Sequence, residues 1–323
     1  MLEEKATNLL KEFQEKLQAA RGKKFVFLLV GRTGVGKSST VNTLMGQPIA
    51  PVGDYEPTTM GVEDYNSEIS GIQFKVIDTP GLCDDLEEAD NDYKYLELMR
   101  SKVKHIDSMW FVSRLDETRV TSDEKRGIKL ISDALGSKVW EHAVIIFTFA
   151  NNKDASSYPV ALQKRTELIQ KEIAKHAGAE IANHVPSVAV DNKSETTPDE
   201  EKWLGELYTK VFTRISQQGA IPFLLATAEF VKPRRQEAPS YEAPRYETSC
   251  YEASRYEAKR YEQPRIEFND RQKQEIQNRI SADIIPSTAL AGAALGAAFG
   301  PTGAAIGGLA GAAIGAVAWF FGQ

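Results

Sequence analysis

The chain has 323 residues, 42% of them hydrophobic and 26% charged, which suits one or two globular domains with a real core. A net charge of −6 leaves no global basic footprint, so nucleic acid is not an expected partner. Two cysteines, Cys83 and Cys250, lie far apart, which argues against a disulfide framework and fits a reducing compartment; the acidic start, Met1-Leu2-Glu3-Glu4-Lys5, lacks the apolar core of a signal peptide.

Residues 1–22 carry Leu2, Ala6, Leu9, Leu10, Phe13 and Leu17 at helical spacing, which predicts an amphipathic helix. From 23 to 218 strands and helices alternate. Strands are expected at 25–30, 72–77, 107–113, 143–149 and 187–190, with helices such as 122–136 and 160–177 between them. Such alternation implies an α/β domain, a mostly parallel sheet with helices on both faces.

The apolar run Phe25–Val30 leads into Gly31-Arg32-Thr33-Gly34-Val35-Gly36-Lys37-Ser38, and Ser39 and good helix formers follow. The pattern G-x-x-x-x-G-K-S between strand and helix is a phosphate-binding loop. Glycines let successive N–H groups point inward at phosphate oxygens, and the helix N-terminus adds to that field. Lys37 is expected on the β- and γ-phosphates and Ser38 on Mg²⁺.

Glu56-Pro57-Thr58-Thr59 follows as a candidate switch, with Thr59 expected to ligate Mg²⁺ in the triphosphate state and Thr58 as the fallback. Asp78-Thr79-Pro80-Gly81 closes the strand at 72–77. Asp78 is expected to hold Mg²⁺ through water, and the Gly81 N–H to sense the γ-phosphate. The next residue, Leu82, stands where Ras-like proteins carry a water-orienting glutamine, which predicts slow intrinsic hydrolysis. Base recognition stays open between two registers after the strand at 143–149. In one, Asn151 and Asp154 end a motif and Asp154 accepts the guanine N–H groups; in the other, Phe149 stacks on the purine. Asp191 and Asn192, at the end of the next strand, are further candidates.

Residues 219–265 read as a polar linker. Tyr241, Tyr246, Tyr251, Tyr256 and Tyr261 recur every fifth residue, each followed by Glu, with Arg closing most copies. A period of five matches neither helix nor strand, so a low-complexity tether is expected, with a tyrosine-presenting docking or phosphorylation segment as the alternative. A short charged helix is expected at 266–281. The last segment, 282–323, is uncharged from Ile284 onward for about 40 residues, long enough to meet a bilayer. Gly292, Gly296 and Gly300, and then Gly303, Gly307, Gly311 and Gly315, are spaced by four, which lets helices approach closely in a membrane. A membrane-inserted helical hairpin is expected, with arms of roughly 15 to 19 residues that also permit a re-entrant form. Trp319, Phe320 and Phe321 suit an interfacial aromatic belt.

Across roughly 23–195 the residues resemble a known family. Asp107 to Thr121, including Trp110-Phe111-Val112-Ser113-Arg114 and Leu115-Asp116-Glu117-Thr118-Arg119, then Val139-Trp140-Glu141 and Phe147-Thr148-Phe149-Ala150, look like the septin-like P-loop GTPases of the chloroplast outer-envelope import receptors (the Toc family). AIG-type GTPases are more distant relatives. The resemblance implies GTP and GDP binding with Mg²⁺, slow GTP hydrolysis, and dimerisation with itself or a related GTPase across the nucleotide face. It puts Arg119 at the partner's nucleotide side; a surface salt bridge of Arg119 with Glu117 or Asp123 is the alternative. The import receptors carry Thr-His where this chain has Thr148-Phe149, so a stacking surface survives without the histidine's hydrogen bond. Lys37, Thr59, Gly81 and Arg119 are thus the expected catalytic set. The expected setting is a membrane, held by the C-terminal segment with the GTPase domain on the cytosolic side. A nucleotide-bound receptor or scaffold with negligible turnover, and a membrane-active protein regulated by its GTPase domain, are the alternative functions.

Overall fold

A computed structural model describes residues 11–12, 15–20, 22–52, 62–79, 89–231 and 266–284, together with Val317, Trp319 and Phe320. A six-stranded sheet organises the domain in the order β2-β3-β1-β4-β5-β6. Its strands are β1 (Lys24–Val30), β2 (Glu63–Ile69), β3 (Ile72–Asp78), β4 (Ser108–Arg114), β5 (Ala143–Thr148) and β6 (Ser187–Ala189). All neighbours are parallel except β2, which runs antiparallel to β3 along the edge. The expected mostly parallel α/β sheet is therefore present, and β2 is an addition to it. Its sequence, Glu-Asp-Tyr-Asn-Ser-Glu-Ile, alternates between half-buried and exposed positions, as an edge strand must.

The central strands are apolar throughout because both faces are covered. Along β1, Phe25, Phe27 and Leu29 enter one core while Val26, Leu28 and Val30 enter the other. The first core holds α1 (Lys37–Met45) and an aromatic group in which Phe223 lies 5.7 Å from Phe25 and 5.3 Å from Tyr208. The second receives residues of α2 (Ala89–Lys102), α3 (Ser122–Leu135), α4 (Tyr158–Ala177) and α5 (Ala179–Asn183).

Beyond α6 (Trp203–Arg214), the domain continues past the boundary expected at 218. Helix α7 (Ala220–Thr227) buries Phe223, Leu224 and Leu225 in the first core. Full burial of a Phe or Leu side chain is worth about 1.5–3 kcal/mol, so a segment this apolar has no reason to stay in a solvated linker. The approach depends on Gly219: a Cβ there would sit 2.7 Å from the Asp107 carboxylate, which itself binds the Val26 N–H at 2.9 Å. The Tyr-Glu repeat lies outside the described residues.

At Ile266 the chain is back on the domain, with its N–H donating to the Phe230 carbonyl at 3.0 Å. Helix α8 (Asp270–Arg279) starts with an Asn269–Gln272 capping box and packs on α6, with Ile276 and Ile280 buried. Arg271 pairs with Glu206 at 2.6 Å and Lys210 with Glu275 at 3.3 Å. Trp319 and Phe320 lie against the domain itself. They pack 5.8 and 5.5 Å from the Phe268 ring, where burying aromatic surface against protein serves the same end as burying it in lipid. The glycine-spaced stretch of the tail lies outside the described residues. Among the described residues no helix is long and apolar enough to cross a membrane, so the expected transmembrane helix is not supported. Of the N-terminal amphipathic helix, residues 15–20 are helical and seat Leu17 and Ala20 in the first core.

Candidate functional site

Parallel strands send their carboxyl ends to one edge of the sheet, and ligand sites in such sheets form where the strand order reverses. Here β1 is that point: β3 lies on one side and β4 on the other. The loop Gly31–Gly36 leaves β1 and enters α1 at Lys37. Gly34 and Gly36 have φ of 76° and 90°, a region that side chains disfavour. Gly36 is also confined, since a Cβ would meet the Asn192 amide at 2.9 Å. At Gly31 a Cβ would lie 2.2 Å from the Val112 carbonyl oxygen. The loop therefore rests directly on the backbone of β4.

Lys37 curls back over the loop. Its ammonium donates to the carbonyls of Gly31 at 3.0 Å and Arg32 at 3.1 Å, and is only 6% exposed. Asp78, at the end of β3, places Oδ1 at 3.5 Å from that ammonium, an ion-pair distance without a hydrogen bond. Oδ1 is buried and, among the described residues, accepts no hydrogen bond. Burial pushes the Asp78 carboxyl above its usual range, and the Lys37 charge only partly opposes this. A buried carboxylate oxygen without a donor beside the phosphate loop fits a bound cation, with Ser38 at the first turn of α1 as a hydroxyl ligand. Thr59 and Gly81 lie outside the described residues, as does Leu82.

The next strands brace the loop. The Thr148 hydroxyl donates to the Val35 carbonyl at 2.7 Å, tying β5 to the loop. The Asn192 amide donates to Thr40 Oγ1 at 3.0 Å, and Thr40 donates to the Gly36 carbonyl at 2.8 Å. Asp191 accepts from the Asn151 N–H at 3.1 Å and the Lys193 N–H at 2.9 Å. Asn151, Asp191 and Asn192 are thus gathered at one end of the loop, with hydrogen bonds made inside the protein. Asp154 starts the turn into α4, where its carbonyl accepts the Tyr158 N–H at 2.9 Å.

Phe149 has a left-handed backbone with φ of 56°, which costs a bulky residue roughly 1–3 kcal/mol. Its half-buried ring carries the Arg114 guanidinium at 4.0 Å from the centroid. Arg114 is held by Asp116 at 2.9 and 2.6 Å, and the arginine pulls the Asp116 carboxyl down to about 2. Arg114 is not among the expected site residues, and Thr148, expected beside the purine in one register, braces the phosphate loop instead. Arg165 is not among them either; it is 2% exposed and binds Glu124 at 2.8 Å, Ser113 at 2.7 Å and the Arg119 carbonyl at 2.6 Å. Arg165 had a legible sign: it shares the apolar stripe of Ile169 and Ile173 at intervals of four.

A glycine loop between a central strand and a helix, a lysine folded over it and an aspartate at the neighbouring strand end define a P-loop nucleotide-binding domain. Comparison with known proteins gives the family. The AIG1 family model matches residues 26–239, and the chain belongs to that family. It is similar to GTP-binding protein A of Dictyostelium discoideum, at 35% identity over 146 residues, 44% of this chain and 32% of that protein. It is also similar to Translocase of chloroplast 101 of Physcomitrium patens, at 25% over 224 residues, 64% of this chain and 24% of that one. With Translocase of chloroplast 34 of Arabidopsis thaliana it shares 27% over 209 residues, 59% of this chain and 66% of that one. The matched region thus spans 32% and 24% of the length of the first two relatives. A crystal structure of a dimerisation-deficient Toc33 variant from Arabidopsis thaliana superposes with a TM-score of 0.51 at 24% identity, covering 67% of this chain and 91% of that one. That likeness shows the fold, a P-loop GTPase fold.

Proposed function

We propose that this chain is a GTP-binding protein that hydrolyses GTP slowly, with Mg²⁺, and switches by nucleotide-dependent dimerisation at a membrane surface. One observation carries the reading: Lys37 and the unbonded oxygen of Asp78 face each other across a glycine loop at the switch point of the sheet. The lysine suits phosphate, the carboxylate suits the cation that accompanies it, and family membership favours guanine as the base. Ser38 and Asp78 would hold Mg²⁺, with Thr59 joining in the triphosphate state and Gly81 sensing the γ-phosphate. When bound, Mg²⁺ neutralises charge on the β- and γ-phosphates. The protein's own part is to orient the phosphates through the N–H groups of residues 31–39 and Lys37, and to stack the purine on Phe149 near Asp154, Asp191 and Asn192. Leu82, in place of a glutamine, supports slow turnover.

Dimerisation through Arg119 is supported by its exposure and by Toc33 of Arabidopsis thaliana, a protein that dimerises unless an arginine is replaced by alanine. Membrane attachment with the domain on the cytosolic side is supported by the uncharged, glycine-spaced tail. Competition of GTP, GDP and ATP for the full chain with Mg²⁺ tests the reading. GTP and GDP displace a fluorescent guanine nucleotide and ATP does not, and Lys37→Ala abolishes binding. Equal competition by ATP, or an unaffected Lys37→Ala variant, overturns it. Flotation with anionic liposomes, compared between the full chain and a chain ending at residue 284, tests the attachment.

A further inference from the structure

The Arg119 segment is built unusually. Its backbone is fixed, because Arg165 donates to the Arg119 carbonyl at 2.6 Å and is itself locked between Ser113 and Glu124. Its side chain is exposed and, among the described residues, has neither ion pair nor hydrogen bond. Yet three acids lie within four residues, Asp116, Glu117 and Asp123, and neighbours this close in sequence pair at little loop-closure cost. Each is already held by another arginine, Asp116 by Arg114 at 2.6 Å and the other two by Arg32. Arg32, in the phosphate loop, places Nη1 at 3.1 Å from Glu117 Oε1 and Nε at 3.7 Å from Asp123 Oδ2.

We propose that Arg32 is a positioning residue that occupies Glu117 and Asp123, so that the Arg119 guanidinium is kept free for a second copy of the chain. The inference rests on the dimer reading above and adds a regulator to it. The same residue joins the two sites physically. Its carbonyl accepts from the Lys37 ammonium at 3.1 Å, so the phosphate-binding lysine and the Arg119 segment share one residue. The path runs from Lys37 through Arg32 to Glu117; Arg165, 3.9 Å from Glu117, leads on to the Arg119 backbone. Glu117 depends on its cations. Burial and the Glu124 charge push its carboxyl up, while Arg32, Arg165 and Arg114 favour the ionised form. Without Arg32, Asp123 loses that ion pair, Glu117 keeps only the longer contact to Arg165, and Arg119, two residues from Glu117 and four from Asp123, is in reach of both.

The test is sedimentation of the full chain at saturating Mg²⁺ and a non-hydrolysable GTP analogue, with bound nucleotide measured in each sample. Arg32→Ala weakens the dimer by roughly tenfold, the scale of one interfacial charge withdrawn. Adding Glu117→Gln and Asp123→Asn to Arg32→Ala restores it to within about threefold, because the acids that Arg32 released are then neutral and Asp116 stays with Arg114. A merely structural role for Arg32 is not rescued by removing its partners. A wild-type dimer indifferent to Arg32→Ala, or a triple variant no better than the single one, overturns the inference alone. A wild-type chain that stays monomeric overturns the dimer reading and the inference with it.

Discussion

Arg165→Leu is expected to destabilise the domain severely, and the cause is the anion left behind. The side chains of Arg165 and Glu124 are 2% and 4% exposed and meet at 2.8 Å. Glu124 also closes the capping box of α3, accepting the Thr121 N–H at 2.8 Å, and it accepts the Ser113 hydroxyl. Leucine fills much of the space but leaves the carboxylate buried beside two neutral donors. Breaking a buried pair from one side costs about 3–5 kcal/mol, whereas removing both charges is close to neutral. Arg165→Leu combined with Glu124→Gln, which keeps an acceptor for the cap, is therefore expected to recover all but about 1–2 kcal/mol. Urea unfolding followed by tryptophan fluorescence reads both. With a slope of about 1–3 kcal/mol per M, the single variant lowers the midpoint by at least ~1 M and the double variant returns most of it. A single variant within about 1 kcal/mol of wild type, or a double variant as unstable as the single, refutes the reasoning.

Asp78→Asn links the site to pH. Burial raises the folded carboxyl above the unfolded value of 3.8, so its ionised form weakens the nucleotide-free fold. That penalty is absent below 3.8 and grows as pH rises through the folded value. Thermal unfolding should find the variant more stable than wild type at neutral pH, the two converging toward pH 4, while Mg²⁺-dependent nucleotide affinity is lost. Asp116 has the opposite sign. Its carboxyl is drawn down to about 2 by Arg114, so its contribution is present above 3.8 and fades as pH falls toward about 2. Arg114→Leu should remove on the order of 1 kcal/mol after solvent screening and flatten that acid limb in a pH-resolved urea series. Gly31→Ala drives a Cβ to 2.2 Å from the Val112 carbonyl and should cost about 1–3 kcal/mol in the urea midpoint, together with nucleotide binding in a titration. Phe149→Asn tolerates the left-handed backbone better than phenylalanine does, so the fold survives, yet purine stacking of about 1–3 kcal/mol is lost as a roughly fivefold or greater fall in nucleotide affinity.

Local signals carried much of the fold. Phe25–Val30, the glycine loop and Asp78 announced themselves because strand, loop and helix chemistry are all short-range. β2 was missed because an edge strand of Glu, Asp, Asn and Ser has no apolar run to betray it. α7 was missed for a different reason. Its apolar run follows a Gly and contains Pro222, which reads as the end of a domain, and only the distant rings of Phe25 and Phe27 explain why it docks. At the site, the residues that touch phosphate were legible, while those that brace them were not. Thr148 reaches Val35 and Asn192 reaches Thr40 across long stretches of chain, and no local pattern encodes a contact of that kind. Arg32 was read for its place in the loop, and the partners of its side chain came only from the folded chain.

The hydrogen bond from Ile266 to Phe230 changes what the tyrosine repeat is for. A spacer carries one body away from another, but this stretch leaves the domain and returns to it at a single point. Adding or deleting five-residue copies is therefore expected to leave α8 in its place on α6. A cut within residues 232–265 yields two fragments that stay joined through Ile276, Ile280 and the pairing of Arg271 with Glu206. Co-elution of the two fragments after a cut within 232–265 is the expected outcome, and their separation would show that the contacts of α8 with α6 do not hold the ends together.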